Sequence, residues 1–317
     1  MHTVVSGMNE TAARQTEGSG IVFDVKRYTL HDGPGIRVSI HLKGCPLACW
    51  WCHNPESQSY SPQLLFREDR CIACNACVAA CPNGAVSVES GALVTDPAAC
   101  TGTGVCADVC PSGAREICGR RMRVSQVMEQ ILKERLFFEQ SGGGVTLTGG
   151  EPLGQPEFAK GILQACKASE LHTAVDTCGF VGRSVLMDVL PYTDLFLYDL
   201  KHMDPEMHRK YTGVDNAVIL DNLLALGEAG AAIWARIPFI PGINTDEKNI
   251  RATGEFLRGV KGVRQVHLLP YHNAAEDKHG RWNMPYKLEG VYAPTEHALR
   301  AAAKLLESYG VPTVVGG

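Results

Sequence analysis

The chain has 317 residues, 45% hydrophobic and 20% charged, a globular balance with room for one large or two medium domains. A formal charge of -4 argues against a nucleic-acid surface or an anionic-membrane surface. No run approaches the roughly 18 apolar residues that a membrane span needs.

The opening "MHTVVSGMNETAARQTEGSG" has neither the basic start nor the apolar core of a secretory signal. Residues 1–19 therefore read as a disordered tail, and the protein as cytoplasmic. Next comes "DGPGIR", Asp32 to Arg37, where two glycines and a proline fix a tight loop before the first predicted strand, "IRVSIHLKG" (36–44). That strand runs into "KGCPLACWWCHN", which places Cys45, Cys49 and Cys52 in C-x3-C-x2-C spacing. A structural zinc site closes on four ligands, and a [4Fe–4S] cluster usually takes four cysteines, one per iron. Three thiols leave one iron open to an exogenous ligand.

Residues 66–115 interrupt the pattern and read as a separate insert. The chain holds 13 cysteines, ten of them between Cys45 and Cys110 in three short-spaced clusters. A reducing compartment disfavours disulfides, so metal is the reading. "CIACNACVAACPNGA" sets Cys71, Cys74, Cys77 and Cys81 in the C-x2-C-x2-C-x3-C-P run of bacterial ferredoxins, whose fourth cysteine ligates the other cluster of a pair. A zinc ribbon would instead want two well-separated C-x2-C knuckles. The second half, "CTGTGVCADVCPSGA", keeps Cys100, Cys106 and Cys110 but has Thr103 where a cysteine belongs. By the crossing rule, Cys110 joins Cys71, Cys74 and Cys77, while Cys81, Cys100 and Cys106 are one thiolate short. Cys118, Thr103 or solvent could fill that place, or the cluster could hold three irons.

From about Met122 apolar runs alternate with amphipathic stretches. Strands are predicted at 144–150, 171–179, 194–201, 231–240 and 264–272, and helices at 123–140, 156–169, 182–190, 216–229, 246–259 and 294–309. With the first strand this makes six βα units, an α/β fold with a parallel sheet. Six is short of the eight of a closed barrel, so an open, partial TIM-like (β/α)6 barrel is expected over 20–65 and 116–317. Each strand ends in glycine or charge: Gly149, Gly150 and Glu151; Asp176 and Thr177; Asp199 and Lys201; Arg236; His272. In parallel α/β folds those ends form the active-site rim.

The cysteine trio, with Trp51 before its last member and "TGGEP" downstream, resembles the radical S-adenosylmethionine (SAM) superfamily. Adding "YTLHDGPGIR", "CHNPE", "DTCG", "DLK", "RIPFIPGIN" and "LLPYH", the chain from 20 to 272 resembles the activating enzymes of glycyl radical enzymes, in the larger type that carries a ferredoxin-like insert. The resemblance implies a catalytic [4Fe–4S] cluster on Cys45, Cys49 and Cys52 that chelates SAM. It further implies reductive cleavage to a 5′-deoxyadenosyl radical, and hydrogen abstraction from a backbone glycine of a partner enzyme. The insert would hold two auxiliary Fe–S clusters, one of them incomplete, fed by a low-potential donor such as flavodoxin or ferredoxin. The chain itself shows no Arg-Val-x-Gly-aromatic segment of the radical-bearing kind, so it is the activator, expected as a monomer.

The same resemblance puts Trp51, Cys52, His53, Gly149, Gly150 and Glu151 against SAM. It gives Asp176 and Asp199 a monovalent cation, with backbone oxygens from Thr177 and Leu197. It directs Lys201, Arg236 and His272 to the SAM carboxylate and ribose, Lys201 being counted with the catalytic set. Plainer roles stand beside these: core packing for Trp51, a turn for the glycines, a helix cap for Glu151, salt bridges for the cations. The loop 32–37 is implied to seat the partner's glycine segment, a tight turn into strand one being compatible. Two other classes compete. One is a radical SAM enzyme acting on a small molecule. The other is a plain electron-transfer protein, which leaves the barrel and Cys45–Cys52 unexplained.

Overall fold

The computed structural model describes residues 18–282 and 284–316; the predicted tail falls outside them, except for its last two positions. Those two correct the boundary, because a strand already begins at Ser19. In chain order the strands are β1 (Ser19–Thr29), β2 (Arg37–Leu42), β3 (Gln63–Phe66), β4 (Val86–Glu89), β5 (Ala92–Thr95), β6 (Arg115–Cys118), β7 (Arg120–Arg123), β8 (Gly144–Gly149), β9 (His172–Thr177), β10 (Leu195–Asp199), β11 (Ile233–Phe239), β12 (Val263–Pro270) and β13 (Thr313–Val315).

Nine of them form one sheet in the order β13-β12-β11-β10-β9-β8-β2-β1-β7. From β2 to β13 every neighbouring pair is parallel. The pairs β1–β2 and β1–β7 are antiparallel. The two end strands, β13 and β7, do not meet, so the sheet stays open. The six expected strands are present, and β13 adds a seventh parallel one. The antiparallel edge of β1 and β7 was not anticipated. The predicted helix 123–140 is two, Val124–Leu132 and Arg135–Ser141, separated at Lys133 and Glu134.

Helices Pro156–Ala168, Ala217–Glu228, Glu247–Arg258 and Glu296–Glu307 pack one face of the sheet. Along β2 the residues alternate sides, as a strand requires. Val38, Ile40 and Leu42 join Phe158, Ile162, Leu223, Leu257 and Leu306 in the main apolar core. Arg37, Ser39 and His41 line the opposite, inner face, and all three are buried. Two of the helices start on side-chain caps, with Asp246 accepting from the Asn249 amide and Thr295 from the Ala298 amide.

The loop ahead of β2 is fastened from inside. Arg37 Nε donates to Thr146 Oγ1 at 2.7 Å, Nη1 to the Pro34 carbonyl at 3.1 Å and Nη2 to the Val145 carbonyl at 2.6 Å. Gly35 sits at φ +70°, and a Cβ there would fall 2.5 Å from the Gly143 nitrogen. Both the turn and the close approach therefore require glycine.

Between β2 and β7 the chain leaves the main sheet. β3 pairs β6 antiparallel and β4 pairs β5. The short helices Ala76–Ala80 and Val105–Asp108 pack with them. This excursion begins at Gln63 and returns at Cys118, a few residues outside the predicted 66–115.

Candidate active site

The C-terminal ends of the parallel strands surround a cavity of about 500 Å³, within the range of small-molecule sites. Its walls carry Cys45, Cys49 and Cys52 from the loop after β2, Gly149 at the end of β8 and Gly150 just past it. Asp176 and Thr177 end β9 with Cys178 next in the chain, Asp199 ends β10 with Lys201 two residues on, Arg236 comes from β11, and His272 from beyond β12. Trp51, His53 and His31 line it as well. Of the SAM-site residues singled out in the sequence, Glu151 and Leu197 are not on the wall.

The cysteine loop is held from three directions. Gly44 and Cys45 amides donate to the Ser57 and Gln58 carbonyls, at 2.7 and 3.2 Å. Ala48 and Trp50 amides donate to Thr212 and Tyr211 carbonyls at the end of helix Pro205–Thr212. Beyond Cys52, Lys278 Nζ reaches the His53 carbonyl, Asn54 Oδ1 and Glu56 Oε1 at 2.9–3.1 Å. His279 Nε2 lies 3.0 Å from the Cys52 carbonyl. The segment 273–281 thus clasps the loop, a role with no cysteine, glycine or rim pattern to announce it. Trp51 is buried against Tyr211, Ile240, Ile243, Tyr271 and Leu288, so it serves the core and the cavity wall together.

Burial pushes the Cys49 thiol up to about 12 and Cys52 up to about 11. Both are neutral at pH 7 until a metal displaces their protons. Cys45 is held below the ordinary thiol range, chiefly by a hydrogen bond from Cys178. Cys178 lies outside the three cysteine clusters of the sequence, and its place right after Asp176 and Thr177 is the signal that marks it. Lys201 Nζ bonds Asp199 Oδ2 at 2.7 Å and is only 8% exposed. Burial alone would lower its pKa, but Asp199 and the Cys49 and Cys178 sulfurs raise it further, so it stays charged.

Asp176 accepts from Thr148 Oγ1 at 2.8 Å and faces Arg236 Nη1 at 3.2 Å. Burial pushes Asp176 up to about 6 against the pull of Arg236, helped by the neighbouring Asp199 and Asp32 carboxylates. Arg236 Nε is buried with no hydrogen-bond partner. An orphaned guanidinium donor beside three thiols suits an anionic ligand group, and the donor set suits an Fe–S cluster with a carboxylate-bearing ligand. Among the described residues no three His, Cys, Asp or Glu side chains converge on a point for a single ion.

One assignment changes, and the glycines ahead of it gain a packing role. Glu151 is fully buried beneath the rim. It accepts from the Leu153 amide at 3.1 Å, Thr177 Oγ1 at 2.9 Å and the Cys178 amide at 2.7 Å. It caps the following turn and ties β8 to β9, so it positions the wall and does not face a ligand. The glycines before it answer to packing. A Cβ on Gly149, at φ +122°, would lie 2.5 Å from the Leu42 backbone, and one on Gly150 would lie 2.3 Å from the Gly44 carbonyl. The Gly150 amide is already spent on the Leu42 carbonyl at 2.9 Å.

Seven further cysteines separate into two hollows on the excursion. One is lined by Cys71, Cys74, Cys77 and Cys110. The other is lined by Cys81, Cys100 and Cys106, with Thr103 on the same wall. Cys118 lines neither; its Sγ turns to the Glu56 carbonyl at 3.9 Å.

Comparison with known proteins agrees with this arrangement. The Radical SAM superfamily profile matches residues 39–253. The trans-4-hydroxy-L-proline dehydratase activating enzyme of Clostridioides difficile is 41% identical over 300 residues, covering 94% of this chain and 99% of its own. The choline trimethylamine-lyase activating enzyme of Oleidesulfovibrio alaskensis is 39% identical over 305 residues, covering 94% and 98%. A solved radical SAM methyltransferase from Sphaerobacter thermophilus superposes with a TM-score of 0.54 at 12% identity, over 98% of this chain and 82% of that one, a likeness of fold alone.

Proposed function

This chain belongs to the radical SAM superfamily, among the activating enzymes of glycyl radical enzymes, and on that premise we propose how its residues divide the work. Cys45, Cys49 and Cys52 would hold a [4Fe–4S] cluster. Bound there beside SAM, the cluster would supply the electron for reductive cleavage of SAM, the radical chemistry being directed at a backbone glycine of the partner. The observation that carries this reading is the convergence of three thiols and the charged ends of three parallel strands on one cavity.

Lys201, kept charged by Asp199, and Arg236, with its unbonded Nε, face the ligand's carboxylate and ribose. Asp176 and Asp199 accept a monovalent cation, joined by backbone oxygens of Thr177 and Leu197. His53 and His272, edge to face with ring centroids 4.4 Å apart, close the outer wall, while Trp51 and Tyr271 keep it dry. The excursion holds two auxiliary clusters in its two hollows and relays electrons from a low-potential donor. The direct test is anaerobic incubation with SAM and dithionite: 5′-deoxyadenosine and methionine form in equal amounts, and their absence from iron-loaded protein would sink the reading.

A pH dependence follows from Asp176. Its folded pKa lies above the unfolded value, so its contribution to stability is full below the unfolded pKa and is lost as pH rises through about 6. Cation binding needs the ionised form and runs the other way. The potassium dependence of SAM affinity, measured by calorimetry, is expected to fade as pH drops through about 6 and to be absent in Asp176→Asn. A potassium dependence unchanged between pH 5 and 8 contradicts the assignment.

A further inference from the structure

The two thiol-lined hollows lie along one ribbon, and the ribbon gives them an order. β3 and β6 pair with Gln63 opposite Cys118 and Phe66 opposite Arg115. The Gln63–Cys118 end touches the barrel. Fully buried Lys43, two residues ahead of Cys45, reaches Gln63 Oε1 at 2.9 Å and the Glu56 carbonyl at 2.5 Å. Cys118 leans on that same carbonyl.

One step outward, Leu64 and Ile117 line the hollow of Cys81, Cys100, Cys106 and Thr103. Two residues further, Phe66 and Arg115 line the hollow of Cys71, Cys74, Cys77 and Cys110. At about 3.3 Å per strand residue, the second hollow starts about 7 Å farther from the barrel. Leu64, Phe66, Ile117 and Arg115 share one face of the ribbon, because side chains alternate. Gln63 and Cys118 belong to the other face, which explains why Cys118 fills no place in the incomplete set. At the far hollow Cys74 is exposed, and its neighbour Ile72 is 64% exposed.

We propose that the site of Cys81, Cys100 and Cys106 is the inner station and the site of Cys71, Cys74, Cys77 and Cys110 the outer one. This rests on the reading that the excursion holds two clusters. A low-potential one-electron donor then reduces the outer site at the solvent-facing tip. The electron passes to the inner site, with Thr103 in place of a thiol, and from there to the catalytic cysteines. Each hop oxidises one station and reduces the next by one electron. The cluster that departs from the four-thiolate pattern is therefore the one nearest the catalytic centre.

The order is read magnetically, without turnover. In the reduced, SAM-bound full chain, a nearby paramagnetic cluster speeds the spin relaxation of the catalytic signal in electron paramagnetic resonance. Cys81→Ser/Cys100→Ser is expected to abolish that enhancement, and Cys71→Ser/Cys74→Ser to leave most of it. The reverse outcome overturns the order. Thr103→Cys, which alters the inner site without removing a ligand, is expected to change the enhancement. A signal insensitive to Thr103→Cys and lost in the outer variant also overturns it. An iron count of about four in the wild-type protein, the content of one [4Fe–4S] cluster, removes the two-cluster reading itself.

Discussion

Cys49→Ala is expected to lower 5′-deoxyadenosine formation at least about 100-fold, since losing even an outer-shell partner costs metal sites 10–100-fold. Cys49 is the most telling of the three because nothing can replace it. Cys45 has a second thiol beside it, hydrogen-bonded Cys178, whereas Cys49 is backed by Lys201, which cannot ligate while charged. The variant loses about four irons, one cluster's worth, and retains those of the excursion. Undiminished deoxyadenosine in this variant contradicts the assignment of the catalytic cluster.

Arg37→Met carries the largest expected effect on the fold. The guanidinium is completely buried, yet burial lowers its pKa only to about 10, so it remains charged at pH 7. Its hydrogen bonds go to Thr146 and to the carbonyls of Pro34 and Val145. Methionine fills similar space but strands those acceptors inside the sheet, at roughly 1–3 kcal/mol for each buried group left unpaired. A loss of about 3–5 kcal/mol is expected, a large share of a typical 5–15 kcal/mol stability. The midpoint of denaturant unfolding of the iron-free protein reads it. A midpoint unchanged from wild type would show that the loop 32–37 is held by something else.

Where function follows local pattern, the sequence was legible. Apolar runs ending in glycine or charge marked β8 to β12 and the cavity wall, because in parallel sheets the strand ends alone are free to carry chemistry. The ferredoxin spacing groups Cys71, Cys74, Cys77 and Cys110, and those four line one hollow. Where a residue's role depends on a distant partner, it was not legible. Glu151 looked like a rim carboxylate, but Thr177 and Cys178, 26 and 27 residues later, turn it inward. Cys118 looked able to complete the deficient set, until strand alternation in β6 put it on the wrong face. Helix Pro205–Thr212 is mostly polar and gave no periodic signal. It forms because Asp204 caps it and Tyr211 packs against Trp50, with ring centroids 4.9 Å apart. The alternation Arg37, Ser39, His41 against Val38, Ile40, Leu42 was present in the sequence and announces a polar inner face. Its meaning depended on knowing which side held the helices.

The central claim is that the radical made here ends on a partner's backbone glycine. Glycyl radical enzymes with all glycines deuterated at Cα, including the partners of the related activating enzymes, are incubated anaerobically with this protein, SAM and reductant. Expected are a glycine-centred radical signal in electron paramagnetic resonance, its proton doublet collapsed by the α-deuterium that remains, and one deuterium in the 5′-deoxyadenosine formed. Deoxyadenosine produced with no deuterium and no glycine-centred signal, whichever partner is supplied, would contradict it.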